Sequence, residues 1–182
     1  MNETIYKALA ACFGLSPDST QALSLIRQAY TEPENSPQPA RSADVIYWSM
    51  WPEQGSDPPS YEMLVEGFPI ALQTTFGHKP TVHRYLPYQL LVVCYGPGCE
   101  VNAKKIRSFL YLDGAGLPRQ ILRKSGIYPV PEPPSPQLLY EPEGSLWRRR
   151  ADVVISLRVR EEMVYSAGRG AIGSPPEVRI HS

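Results

Sequence analysis

The sequence predicts an α+β fold: a mainly antiparallel sheet of four to six strands with a crossover helix on one face, preceded by an N-terminal helical pair. Three observations carry this. Ala151, Val153, Ile155, Leu157 and Val159 alternate with Arg150, Asp152, Ser156, Arg158 and Arg160, the two-residue period of a long strand with one wet face. Twenty Pro and thirteen Gly in 182 residues exceed the share of an average domain, so turns and edge strands are abundant and an all-helical bundle is excluded. Only one strand-to-helix unit is visible, around Gly96–Gly98, whereas a doubly wound parallel sheet repeats such units.

The elements follow in order. Ile5, Leu9, Cys12 and Phe13 fall on one helical face, and Gly14 stands where a left-handed C-cap belongs. Ser16 reads as the N-cap of a second helix, with Pro17 at its first position and Ala22, Leu23, Ile26, Ala29 and Tyr30 as its apolar stripe. The run TEPENSPQPAR, Thr31 to Arg41, is a loop or linker. Asp44 to Trp51 is rich in β-branched and aromatic residues and stops at Pro52, as a strand would. After the loop Gly55–Ser60, an alternating arm from Phe68 to Phe76, turn residues Gly77–Pro80 and an extended run Val82–Tyr95 make a long antiparallel hairpin. Pro87 calls for an edge or a bulge, while Leu90–Cys94, apolar on both faces, is central. Gly96–Gly98 ends the strand; Val101, Ile106, Phe109 and Leu110 support a helix, and Leu117–Lys124 a shorter one. Tyr128–Pro136 is an extended proline-rich connection to the alternating strand. The glycines after Ser166 make a flexible tail, in which Val178 and Ile180 could add a terminal strand by pairing with a neighbour. The expected organisation is one domain over 1–165, with the helical pair in 1–30 and the sheet and helix core in 43–165, then a Gly-rich tail over 166–182.

Eighteen basic residues balance eighteen acidic ones, but residues 1–66 hold three Lys/Arg against nine Asp/Glu and the remainder fifteen against nine. Opposite-sign halves suit head-to-tail self-association. The N-terminus lacks the apolar run of a secretory signal, and no stretch approaches the ~20 apolar residues of a membrane span. The expectation is a soluble protein made in the cytoplasm. Cys12, Cys94 and Cys99 form no disulfide framework and read as core or strand-end thiols.

A nucleophilic enzyme needs a nucleophile, an activating base and an orienting group. His78 and His83 flank the expected hairpin turn and read as surface turn residues, and His181 is penultimate. Cys94-x4-Cys99 lacks a second Cys/His pair for a zinc site, and the phosphate-loop, dinucleotide and hydrolase-elbow motifs are absent. The reading is no enzyme, no cofactor and no metal. What stands out is Trp147, Arg148, Arg149 and Arg150 entering the long strand, with Arg158 and Arg160 continuing its polar side. Arg and Trp are the side chains of interface hot spots, so these six are the candidate subunit or partner interface; a solvated strand face paired with Asp152, Glu161 and Glu162 is the simpler reading. Trp48 and Trp51, with Tyr47 and Met50, are a second aromatic concentration, either core or the platform of a ligand- or peptide-binding module.

The succession of VVCYGPGCE, a helix ending in FLYLDGAGL, QILRKSGIYPVPEPPSP and LWRRRADVVISLRV resembles the bacteriophage neck or tail terminator family. The resemblance spans roughly residues 43–165 and rests on Tyr95-Gly96-Pro97, Gly126-Ile127-Tyr128 and Trp147 through Asp152. It implies a structural virion protein, synthesised in the host cytoplasm and located in the neck or tail. It further implies assembly with itself into a ring, usually a hexamer, that closes the tail tube. The implied partners are the tail tube protein and a head connector or head-completion protein, with DNA passing through the lumen without sequence readout and no membrane.

Overall fold

The alternating segment is the spine of the molecule. In the computed structural model, which describes residues 1–29, 40, 42–53, 64–66, 81–112, 116–143, 146–164 and 177–180, it forms β7 (Leu146–Val164). β7 lies antiparallel to β4 (Thr81–Tyr95) along that strand's whole length, from Thr81 opposite Val164 to Tyr95 opposite Arg150. On the far side of β4 lie β2 (Val45–Pro52) and β3 (Leu64–Glu66), both antiparallel to it. β1 (Ile26–Gln28) flanks β2 in the sheet's one parallel pairing among the described residues. The other side of β7 is divided among β6 (Gln137–Glu143), β5 (Ile127–Pro129) and β8 (Glu177–Ile180), all antiparallel.

The class is therefore α+β with a mainly antiparallel sheet, as expected. The described strands number eight rather than four to six, because β1, β3 and β5 are three residues each, too short to show a period.

Ala151, Val153, Ile155, Leu157 and Val159 are all buried on the face of β7 that meets the helices. That core takes Ile5, Leu9 and Cys12 from α1 (Asn2–Cys12), Cys99, Ala103, Ile106 and Leu110 from α3 (Cys99–Tyr111), and Leu122 from α4 (Leu117–Lys124). The buried stripe of α3 is thus shifted from the expected one: Val101 and Phe109 are exposed, and the small Cys99 and Ala103 let the helix approach the sheet closely. α1 ends as read from the sequence. Gly14, at φ +67°, and Leu15 return their N–H groups to the carbonyls of Ala11 and Ala10, a Schellman cap.

The second helix is a correction. α2 covers only Thr20–Leu25, and its N-cap is Ser19, whose Oγ accepts from Ala22 N at 3.1 Å. Ser16 instead accepts the Ser19 N–H in the preceding turn. Ile26, expected on the helical stripe, opens β1 beside Ile46, and Ala29 donates to the Trp48 carbonyl. The sheet edge supplies ladder bonds and burial for Ile26 that outweigh helix propensity over three residues.

Pro87 finds its edge inside the sheet. β2 reaches β4 only as far as Tyr88 and β3 only as far as His83, and the Pro87 carbonyl accepts from Glu53 N on that side at 3.1 Å. The missing proline N–H therefore lies on that side, between the described ends of β2 and β3, and costs no bond to β7. Val178 and Ile180, expected within a flexible tail, belong to β8 and pair with β7 of the same chain. TEPENSPQPAR apart from Ala40, the loop Gly55–Ser60, the arm Phe68–Phe76 with its turn, and residues 165–176 lie outside the described residues.

Candidate functional site

β7 is longer than anything that supports it on the β4 side. The ladder with β4 stops at Arg150, and among the described residues Leu146–Arg149 pair only with β6, from Tyr140 opposite Arg149 to Glu143 opposite Leu146. The result is a two-stranded ribbon overhanging the sheet. Such a ribbon is marginal alone, and this one carries apolar side chains in water: Trp147 is 69% exposed, Tyr140 61% and Leu146 58%.

Polar contacts fix its root. Tyr95 Oη donates to Glu141 Oε2 at 2.7 Å, and Arg150 bridges Glu141 at 3.2 Å and Asp152 at 2.9 Å. The Arg148 guanidinium lies 4.6 Å from the centre of the Tyr95 ring, within cation–π range, and Tyr47 meets Tyr95 edge to face at 5.9 Å. On the opposite face Arg149 bridges Glu100, in the first turn of α3, at 2.8 Å. The Arg149–Glu100 pair is about 40% exposed on both sides and adds little stability, whereas Arg150 and Asp152 are mostly covered; together these contacts orient the ribbon.

The electrostatics follow from this packing. Burial pushes the Tyr95 hydroxyl up to about 12, reinforced by the Glu141 carboxylate, and the bond from Tyr95 holds Glu141 below the usual carboxylate range. Asp152 is raised by burial, which outweighs the attraction of Arg150; its Oδ1 is buried without a hydrogen-bond partner.

The six residues expected to act together are split by the strand period. Arg148, Arg150, Arg158 and Arg160 share the face turned away from the helices, whereas Trp147 and Arg149 share the helix-side face with Leu138, Tyr140 and Pro142. Arg158 is exposed opposite Pro87 and Tyr128, and the Arg160 N–H donates to the Gly126 carbonyl at 2.7 Å. Sequence reasoning missed Leu138 and Tyr140 as companions of Trp147 on that face. The signal available was the short interval Gly144-Ser145 between QLLYEPE and LWRRR, a hairpin connection.

Other candidates resolve differently. Trp48 is in the core, while Trp51 is exposed on the opposite face of β2, so the pair is not one aromatic platform. His83 is no turn residue: it is buried within β4, between Leu64 of β3 and Glu162 of β7 in the sheet. His78 and His181 lie outside the described residues. Cys12, Cys94 and Cys99 are buried free thiols, each raised by burial, Cys12 to about 12. Among the described residues no three His, Cys, Asp or Glu side chains group as metal ligands, and no helix is long and apolar enough to cross a membrane.

The geometry is that of an oriented arm that exposes aromatic and arginine groups to solvent. Among curated proteins none matches the chain. The family model described as phage neck terminator protein matches residues 3–174, taking in α1 and α2 as well as the segment over 43–165 that carries the resemblance. A neck protein is a structural component of the virion, and with nearly its whole length covered this chain belongs to the phage neck terminator protein family.

Proposed function

We propose that the protein assembles with copies of itself into a ring, a hexamer, that closes the head-proximal end of the tail tube and joins it to the head connector or head-completion protein. Its role is structural and involves no catalysis, with synthesis in the host cytoplasm before incorporation into the virion. Residues 1–165 act as one domain, a reading supported by the single core that unites α1, the sheet, α3 and α4. Trp147, Arg148, Arg149, Arg150, Arg158 and Arg160 serve the contacts between subunits and with the tube.

The observation that carries the proposal is the oriented, solvent-exposed ribbon at Tyr140 and Leu146–Arg149 in a chain of this family. DNA passes through the ring without sequence readout. A lumen that lets it slide avoids a dense grip on phosphates, because each neutralised phosphate tightens binding through counterion release; the arginines are therefore assigned to protein partners.

Native mass spectrometry, with negative-stain imaging in the presence of the tail tube protein, tests this. A closed oligomer capping the tube is expected. Reversing Arg158 and Arg160 together to Glu should leave the subunit folded and weaken capping. Normal capping by that double variant, or tight and steeply salt-dependent DNA binding by the parent protein, would overturn the division of labour.

A further inference from the structure

The overhanging ribbon raises the question of what covers it. Its helix-side face continues the plane of the core beyond the last helix: Leu138, Tyr140 and Trp147 extend from Ala151, and α3 begins only at Cys99. Leu139 and Leu146 face the other way, and on the helix-side face Leu138, Tyr140 and Trp147, exposed by 42%, 61% and 69%, leave roughly 400 Å² of apolar surface uncovered, the size of the largest patch on a typical monomer. That is also about the apolar share of one side of a standard interface of ~800 Å².

A second apolar surface lies at the other end of the same helix. Where α3 hands over to α4, Phe109 is 38% exposed, Leu112 74% and Leu117 62%. Glu100, the anchor of the ribbon, and Leu112 are twelve helical residues apart, about 18 Å along the axis. The ribbon is tied at the near end through Arg149, so it does not reach the far surface of its own subunit. Closing a ring of identical subunits head to tail requires two different, mutually complementary surfaces on each chain. This chain presents two, at opposite ends of one rigid element.

We infer that the occupant is a second copy of this chain: Leu138, Tyr140 and Trp147 of one subunit pack on Phe109, Leu112 and Leu117 of the next, an inference that rests on the ring proposed above. Trp147 is the central anchor, and the salt-bridged root presents it already oriented, so little side-chain ordering is left to offset on binding.

Site-directed cross-linking tests the contact without touching its apolar residues. Pro142→Cys places a thiol opposite Trp147 in the ribbon, and Gln120→Cys places one a turn beyond Leu117 on α4. The three native thiols are buried and stay silent toward a short bis-maleimide. A mixture of the two single variants should give a cross-linked dimer that neither variant gives alone. Trp147→Ala, at an exposed position, should keep the monomer's Tm and raise the concentration for half-assembly at least tenfold.

Cross-linking of Pro142→Cys with itself would mean ribbon-to-ribbon pairing and overturn the inference. Protection of that thiol only when tail tubes are added, in a ring that forms without them, would assign the ribbon to the tube and overturn it too. A closed ring by native mass spectrometry with no link in the mixture defeats this contact and leaves the ring standing. A monomer both with and without tubes defeats the ring, and the contact with it.

Discussion

Asp44 Oδ1 accepts the backbone N–H of Gly98 at 2.8 Å, so a carboxylate 54 residues upstream caps α3, whose own N-cap position has no side chain. Asp44 Oδ2 accepts from Asn102 Nδ2 at 3.3 Å, tying the first turn of the helix to the start of β2. This accounts for the Gly-Pro-Gly turn. A Cβ on Gly96 would collide with Asp44 and with the Ala43 carbonyl, one on Gly98 would collide with the Asp44 carboxylate, and Gly96 also takes φ +102°.

Asp44→Ala should therefore lower stability by about 1–2 kcal/mol, the usual cost of a lost N-cap with a partly buried donor left unpaired. Gly96→Ala should cost more, since strain at positive φ adds to the collision. Chemical denaturation of both variants checks the order; an Asp44→Ala protein as stable as the parent would remove the capping role.

Ile155 is fully buried and Ser156 exposed, although they are adjacent in β7. Ile155→Asp buries an unpaired carboxylate and should abolish folding, a loss above about 4 kcal/mol, while Ser156→Asp should stay within about 0.5 kcal/mol of the parent. Thermal unfolding followed by circular dichroism separates them, and equal midpoints would refute the strand's facing.

Stability should fall at alkaline pH. Cys12 is raised from 9.0 to about 12 by burial, and Tyr111 from 10.0 to about 12 for the same reason. Each group holds its proton more tightly folded than unfolded, so its contribution is complete below the unfolded value and is lost as pH climbs through the folded one. For Cys12 the window is pH 9 to about 12, with a slope of at most about 1.4 kcal/mol per pH unit. Urea midpoints between pH 8 and 11 should decline, and less steeply in Cys12→Ala.

Tyr95 and Glu141 should be energetically coupled. A double-mutant cycle with Tyr95→Phe and Glu141→Gln should return a coupling of about 0.5–1.5 kcal/mol. In Glu141→Gln the tyrosine should also ionise at lower pH, because the neighbouring carboxylate contributes to its raised value. No coupling would mean that the root of the ribbon is held by Arg149–Glu100 instead.

What the sequence discloses about this fold depends on range. β7 and α1 are legible because their periods run for several repeats and their partners are generic apolar surface. Ile26–Gln28 is misread because three residues fit either period and the deciding partner, Ile46–Trp48, is distant. Nothing local marks Asp44 as the cap of α3, or His83 as a buried residue between β3 and β7. At the site, Trp147 and the arginines stand out by composition, yet their division between two faces follows only from strand geometry. The apolar companions Leu138 and Tyr140 become visible once the register of β6 is known.

The hydrogen bond between Thr4 and Ser125, 3.2 Å long across 121 residues, has a consequence for the order of events during synthesis. α1 packs chiefly on α4, and less on α3 and β1, so Ile5, Leu9 and Cys12 lack most of their native cover until the ribosome has released residues up to Lys124. At about 5–20 residues per second that interval is on the order of ten seconds, and the β4–β7 ladder, the sheet's longest pairing, closes later still. The nascent chain thus carries a sticky helix ahead of an unfinished sheet, the state most open to premature association with other copies. A chaperone that shields the first thirteen residues until release should raise the yield of assembly-competent protein more than one acting on the C-terminal strands.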